Sequence, residues 1–305
     1  MKRIAAIIIL AAVSVTALAQ GTAMDFIRAD RNPETLGLAG AGYVSFKAGT
    51  ALAVFGNPAI VPYSTELDYA VAGVFGVAPS GEASALVYGG GGSSRFGSFG
   101  VSAGYLGTSF PEIALSSEGG GASGHSTPKD MLAAVGLSYG IGEHFSIGAT
   151  GRYATETLDA KTTLSSFSAD VIAMYSINSL RVAAGVAGLG PKVKSVSNRT
   201  YSLPASAKLA AAYRLGFGDF AAEFMADADY YFNENVSVGG GVQGSYMNLF
   251  FLRTGYRYSS SKGNFSAAPV PSMFTVGAGV KLYGISFDVA YVAGGPIMAG
   301  LGYSF

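Results

Sequence analysis

Phe274 to Phe305 reads FTVGAGVKLYGISFDVAYVAGGPIMAGLGYSF. Phe274, Val276, Ala278, Val280 and Leu282 alternate with Thr275, Gly277, Gly279 and Lys281. After Tyr283-Gly284 the alternation restarts as Ile285, Phe287, Val289 and Tyr291, and after Gly294-Gly295-Pro296 as Ile297, Ala299, Leu301, Tyr303 and Phe305. A period of two means strands with two unlike faces. One face is aliphatic and aromatic. The other is Gly, Ala and Ser with scattered charge, too small and too polar for a greasy core. A soluble sandwich or adhesin needs a hydrophilic face, which this chain lacks. A transmembrane barrel turns the apolar face to lipid and the small, polar face to a crowded lumen.

Composition points the same way. Of the 305 residues only 12% are charged, against about 25% in average soluble domains. The formal net charge of +0 argues against a nucleic-acid partner. Cys is absent, so there is no disulfide, thiolate metal site or lipid-modified cysteine. Lys2-Arg3, the apolar run Ile4–Val15 and Ala17-Leu18-Ala19 read as a secretory signal peptide over 1–19, with the mature chain expected to start at Gln20. No later window holds the ~20 apolar residues of a membrane helix. An exported apolar chain without such helices satisfies its backbone in lipid only as a closed barrel.

Residues 20–66 do not alternate and hold Leu36-Gly37-Leu38-Ala39-Gly40-Ala41-Gly42 and Asn57-Pro58-Ala59. From Leu67 onward, fourteen strands are expected: 67–77, 82–90, 97–106, 131–140, 144–156, 165–177, 180–189, 204–215, 219–231, 236–246, 248–258, 272–283, 285–293 and 297–305. Connections after even strands are short, and the long ones (107–130, 190–203 and 259–271) all follow odd strands. That parity fits a barrel with short periplasmic turns and longer outer loops. The fold expected is an all-β, transmembrane antiparallel barrel of about 14 strands over 67–305.

Lys208, Glu223, Asp227, Arg253, Arg257, Lys281 and Asp288 fall on the small-residue face, as do Asp229, Arg152 and Asp170. A charge at the lipid midplane costs about 2–4 kcal/mol, so this face is the lumen. Hairpin geometry places Lys281 opposite Asp288, Lys208 opposite Asp227, Arg214 diagonal to Glu223, and Arg152 facing Asp170 across a 157–164 loop. These charges stitch the wall, hold the N-terminal segment or bind a ligand. Tyr230, Tyr231, Phe232, Tyr256, Tyr258, Tyr291 and Tyr303 read as interface girdle aromatics. His125 and His144 are isolated, which makes neither a metal site nor a catalytic triad. No enzyme and no cofactor is expected.

The LGLAGAG run, the later NPA and the alternating strands together resemble the FadL superfamily of outer-membrane barrels. LRTGYRY (252–258) and VGAGVKLYGISFDVAY (276–291) look most like its PorV/PorQ branch. The resemblance implies that 20–66 folds into the lumen as a plug, with Asn57, Pro58 and Ala59 fixing the turn where it leaves. The aromatic Phe305 resembles the terminal signature read by the barrel-assembly machinery. A bacterial outer membrane, with its lipid as partner, is the implied location. The PorV/PorQ branch implies a type IX secretion component that meets secreted proteins or secretion-system subunits. The wider superfamily implies the alternative, uptake of a hydrophobic small ligand such as a long-chain fatty acid. The 107–130 loop is the expected outer contact surface.

Overall fold

A computed structural model describes residues 22–46, 49–64, 69–80, 83–116, 122–159, 162–194, 200–233, 235–260 and 272–305. The signal peptide, Gln20 and the Glu66/Leu67 boundary lie outside the described residues. In chain order the strands are β1 Tyr69–Ser80, β2 Ala83–Phe96, β3 Phe99–Ser109, β4 Ile113–Ser116, β5 Ala122–Ser126, β6 Lys129–Ile141, β7 Phe145–Asp159, β8 Thr162–Ile177, β9 Leu180–Leu189, β10 Val193–Lys194, β11 Thr200–Tyr201, β12 Ser206–Phe217, β13 Phe220–Tyr231, β14 Val236–Tyr246, β15 Phe250–Ser259, β16 Met273–Leu282, β17 Ile285–Val292 and β18 Ile297–Ser304. Two pairs, β4/β5 and β10/β11, are small separate hairpins; the other fourteen strands form one closed antiparallel barrel, sealed by β1 against β18. Closure leaves no sheet edge, the condition for crossing lipid with strands. A closed, even-numbered antiparallel barrel is the architecture of outer-membrane proteins.

Alternation sets the two faces. Along β6, burial alternates at every residue from Lys129 to Ile141. Val135, Leu137 and Tyr139 point out, and Ala134, Gly136 and Ser138 point in. Aromatic pairs band the outside near the tight turns, with ring centroids 4.8 Å apart for Phe99/Tyr139 and 4.6 Å for Phe220/Tyr246. Tyr231 departs from the expected girdle. It sits on the inner face of β13 and is 0% exposed, whereas its neighbour Tyr230 points out. Phe305 exchanges backbone hydrogen bonds with Tyr69 (2.9 and 3.0 Å) and its ring stacks on Tyr69 and Tyr303 at 5.4 Å.

Register corrects several expected pairs. The hairpin after β16 turns at Tyr283-Gly284, both at positive φ, so Leu282 pairs with Ile285. Lys281 therefore stands opposite Ser286, and Asp288 stands opposite Gly279. Similarly Phe217 pairs with Phe220, so Lys208 stands opposite Asp229, Asp227 opposite Ala210, and Arg214 directly opposite Glu223. Arg152 stands opposite Ser168 and Thr150 opposite Asp170. Each error is a slip of two, which preserves the face and changes the partner. The 157–164 loop is mostly strand, with β7 and β8 paired as far as Asp159 and Thr162. The 107–130 loop contains the β4/β5 hairpin, in which Ile113 pairs with Ser126.

Residues 22–46 and 49–64 lie against the inner faces of strands on all sides. Ala39 N–H donates to Thr275 Oγ1 on β16 (2.9 Å), and Phe46 N–H to Glu223 Oε1 on β13 (2.6 Å). Ser146 on β7 donates to Ala59 O (2.6 Å), and Ser93 on β2 to Thr50 Oγ1 (2.9 Å). The glycine-rich run meets glycines of the wall at close range. A Cβ on Gly255 would lie 2.3 Å from the Leu38 carbonyl carbon, and one on Gly277 would lie 3.1 Å from Gly37 Cα.

The face assignment gives a direct expectation. Val135 is mid-strand and 58% exposed, so Val135→Arg should destabilise the barrel in lipid vesicles by about 2–4 kcal/mol. Val135→Leu should cost under about 1 kcal/mol. Urea unfolding of the two variants checks this, and equal stabilities would contradict the outward placement.

Candidate functional site

The lumen has an apolar end and a charged middle. At the end where β1, β2 and β3 meet the longer loops, many inward residues are apolar, with the polar Thr108 and Asp130 among them. Val74, Val87, Leu106, Leu132, Met273, Val292 and Met298 form one buried cluster with Met24, Ile27, Leu36 and Leu52 of the N-terminal segment. A second cluster joins Leu38, Val44, Ile60 and Val61 to Ile172, Met174 and Met225 on the opposite wall.

Ion pairs span the middle, and those of Arg253 and Arg257 reach across a strand. Arg257 on β15 donates to both oxygens of Asp227 on β13, at 2.6 and 2.8 Å, passing over Gly239 of β14. Arg253 on β15 donates to Asp288 on β17, at 2.5 Å, passing over Gly279 of β16. A Cβ at Gly239 would come within 2.5 Å of the Asp227 carboxylate and 2.6 Å of Arg257 Nη2. A side chain at Gly279 would likewise overlap the Asp288 carboxylate. The glycines make room for bonds between second neighbours, which the nearest-neighbour pairing expected from hairpins does not contain.

Two relays follow from these pairs. In the first, Glu223 accepts from Phe46 N–H and from Gln243 Nε2 (3.4 Å), and Gln243 Oε1 accepts from Arg253 Nε (2.6 Å). In the second, Asp229 takes Arg28 of the N-terminal segment at 3.0 Å and Lys208 at 3.1 Å, while Lys208 lies 3.5 Å from Asp227. Arg152 pairs with Asp170 at 2.5 Å. Asp170 also accepts from Gly188 N–H (2.7 Å), where the β8/β9 register shifts.

Wall arginines also hold the segment by its backbone. Arg257 Nε donates to Ala39 O (2.7 Å), Arg181 Nη1 to Ser45 O (2.8 Å) and Arg152 Nη2 to Phe55 O (3.2 Å). Arg181 also lies over the Phe46 ring at 4.2 Å. Asn57 Oδ1 accepts from Ala59 N–H (3.0 Å) and caps the 3-10 helix Pro58–Tyr63, while its Nδ2 donates to Tyr43 O (3.1 Å). That helix ends with Tyr63 donating to Phe145 O at a tight turn of the barrel (2.6 Å). Lys281 faces inward beside a gap of about 50 Å³ between the segment and β1, β17 and β18.

Lys208, Glu223, Asp227, Arg253, Arg257 and Asp288 thus converge on the lumen network, with Lys281 on the same face beside the gap. Arg28, Arg181 and Gln243 belong to the network without having been singled out. Arg181 and Gln243 fall at inward positions of clearly alternating strands, so that signal was present. Arg28 lies in a segment without periodicity and carried none. His125 sits 3.7 Å from Glu112, both exposed.

Among solved structures, the fold is similar to the CymD monoaromatic hydrocarbon channel (TM-score 0.66, 12% identity, covering 90% of this chain and 97% of that one). It is similar to the toluene transporter TodX of Pseudomonas putida (0.61, 13%, 86% and 97%). A FadL homologue of Pseudomonas aeruginosa also matches (0.55, 11%, 90% and 95%). No family model matches the sequence, and no curated protein matches it. At these identities the likeness is one of fold: a FadL-like outer-membrane barrel.

Breaking one partner of a buried ion pair leaves an uncompensated charge, at about 3–5 kcal/mol. Gly239→Ala should approach that loss, because the new methyl displaces both Asp227 and Arg257. Gly244→Ala, where nothing lies within 4 Å, should stay within about 0.5 kcal/mol. Urea unfolding in vesicles checks the contrast; equal losses would contradict the bridging geometry.

Proposed function

We propose that this protein is an outer-membrane channel for hydrophobic small molecules, with residues 22–64 acting as its plug. The observation that carries this reading is the apolar interior at the long-loop end. Ordinary barrel lumens are polar, whereas here Val74, Val87, Leu106, Leu132, Met273, Val292 and Met298 face inward. A hydrophobic molecule entering from the loops meets side chains that can replace the contacts of Met24, Ile27 and Leu52. Ligand sites are apolar concavities with a few placed polar groups, and the charged middle band supplies those groups. CymD and TodX are hydrocarbon channels by description, and the shared fold supports transport over other roles.

In this reading Asn57-Pro58-Ala59 anchors the plug near the tight turns, and the lumenal charges keep it in place. Phe305 closes the barrel seam against Tyr69. The PorV/PorQ resemblance and its type IX secretion role gain no supporting observation from the fold or the comparisons.

The test is uptake of radiolabelled toluene and oleate by cells lacking their own hydrophobic-compound channel. Cells carrying the folded barrel should accumulate at least one label several-fold faster than cells with the empty vector. Unchanged uptake of both, with heat-modifiable mobility showing a folded barrel, would overturn the channel reading.

A further inference from the structure

The mid-lumen cavity, about 110 Å³ in volume, has a lining unlike that of a hydrocarbon pocket. Five cationic side chains line it with the carboxylates of Asp30, Asp170 and Asp229, and Asp227 pairs with two of the five, Arg257 and Lys208. Among the described residues, Arg28 Nε, Arg31 Nη1, Arg152 Nε and the Tyr43 hydroxyl are buried without a hydrogen-bond partner. All four of these residues line the same cavity. The three arginines are each more than nine-tenths buried. Guanidinium nitrogens only donate, so what these groups lack is an acceptor. Buried donors are costly to leave unsatisfied. A cavity holds a water once it exceeds roughly 10–15 Å³, so this one admits a multi-atom guest.

We propose that this cavity is a binding site for a small oxyanion, a carboxylate or a phosphate. Its oxygens accept from Arg28, Arg31, Arg152 and Tyr43, and the planar guanidinium fork suits both groups. Arg28 and Arg31 come from the N-terminal segment and Arg152 from β7. A bound anion therefore links the segment to the wall, and its binding adds to the stability of the closed arrangement. The site stands independently of what the barrel transports.

The experiment is calorimetric titration of the purified full-length protein in detergent with acetate, benzoate and inorganic phosphate at constant ionic strength, with benzyl alcohol as the neutral control. Melting temperature is followed in parallel. Saturable binding of at least one oxyanion, with a rise in melting temperature and no comparable binding of benzyl alcohol, supports the site. Preference for benzoate points to an organic acid as the source, and preference for phosphate to the inorganic ion. Arg31→Met should weaken that binding by about tenfold or more, as loss of a charge-assisted hydrogen bond does. Tyr43→Phe keeps the ring that Lys208 covers at 4.4 Å and removes only the hydroxyl, so it should bind severalfold more weakly while remaining folded. Should Arg31→Met fail to fold, Tyr43→Phe and the acid-against-alcohol contrast decide. Absence of oxyanion binding in the wild type, or wild-type affinity in folded Arg31→Met and Tyr43→Phe, overturns the proposal.

Discussion

Arg257 is a buried guanidinium that must find partners for its donors, and much of the lumen is arranged around that demand. Its Nη2 takes both oxygens of Asp227, its Nη1 donates to Ser237 Oγ at 2.9 Å, and its Nε donates to Ala39 O. The net value of a buried ion pair is small, because desolvation offsets the Coulomb attraction, but losing one partner is expensive. Such a group therefore acts as a constraint more than as glue. It requires Gly239 to stay bare, fixes Asp227 across an intervening strand and sets where the backbone of the N-terminal segment lies. Arg253, Gly279 and Asp288 repeat the device on the other side of β15, joined through Gln243 and Glu223 to Phe46.

The outside imposes a simpler condition. Lipid accepts any apolar side chain, so outward positions carry Val, Leu, Phe and Tyr without fine register. The inside must satisfy charges, backbone groups and close packing together. This explains why glycines gather on the inner faces of β14–β16, where Gly241, Gly255 and Gly277 meet the backbone or side chains of Gly37 and Leu38. It also gives the interior a direction: apolar contacts toward the longer loops, then a band of paired charge, then the capped 3-10 helix at Pro58–Tyr63.

The barrel was legible because period-two alternation is strong, and because the parity of short and long connections checks the strand count independently. The lumen face was legible from the cost of charge in lipid. Pairing was not, since a slip of two leaves every side chain on its own face: Lys281 moved from Asp288 to Ser286 without leaving the lumen side. Partnerships between second-neighbour strands, such as Arg257 with Asp227, depend on strand tilt and on a bare glycine between them. Tyr231 looked like its neighbour Tyr230 in composition, yet parity within β13 turns it inward beneath Arg28, 5.7 Å from the ring centre. The apolar lumen end was hidden because Val74, Leu132 and Val292 look like lipid-facing residues in composition, and only their parity within each strand turns them inward.

Hydrogen exchange at two amides tests most directly that the N-terminal segment is held inside the barrel by the wall. Ala39 and Phe46 lie outside any strand; Phe46 N–H bonds across the lumen to Glu223 Oε1, and Ala39 N–H bonds to Thr275 Oγ1 as well as to Leu36 O. In lipid nanodiscs both amides should be protected to a degree comparable with the strands β13 and β16 that hold them. Exchange of both at the rate of free loops would contradict the anchoring.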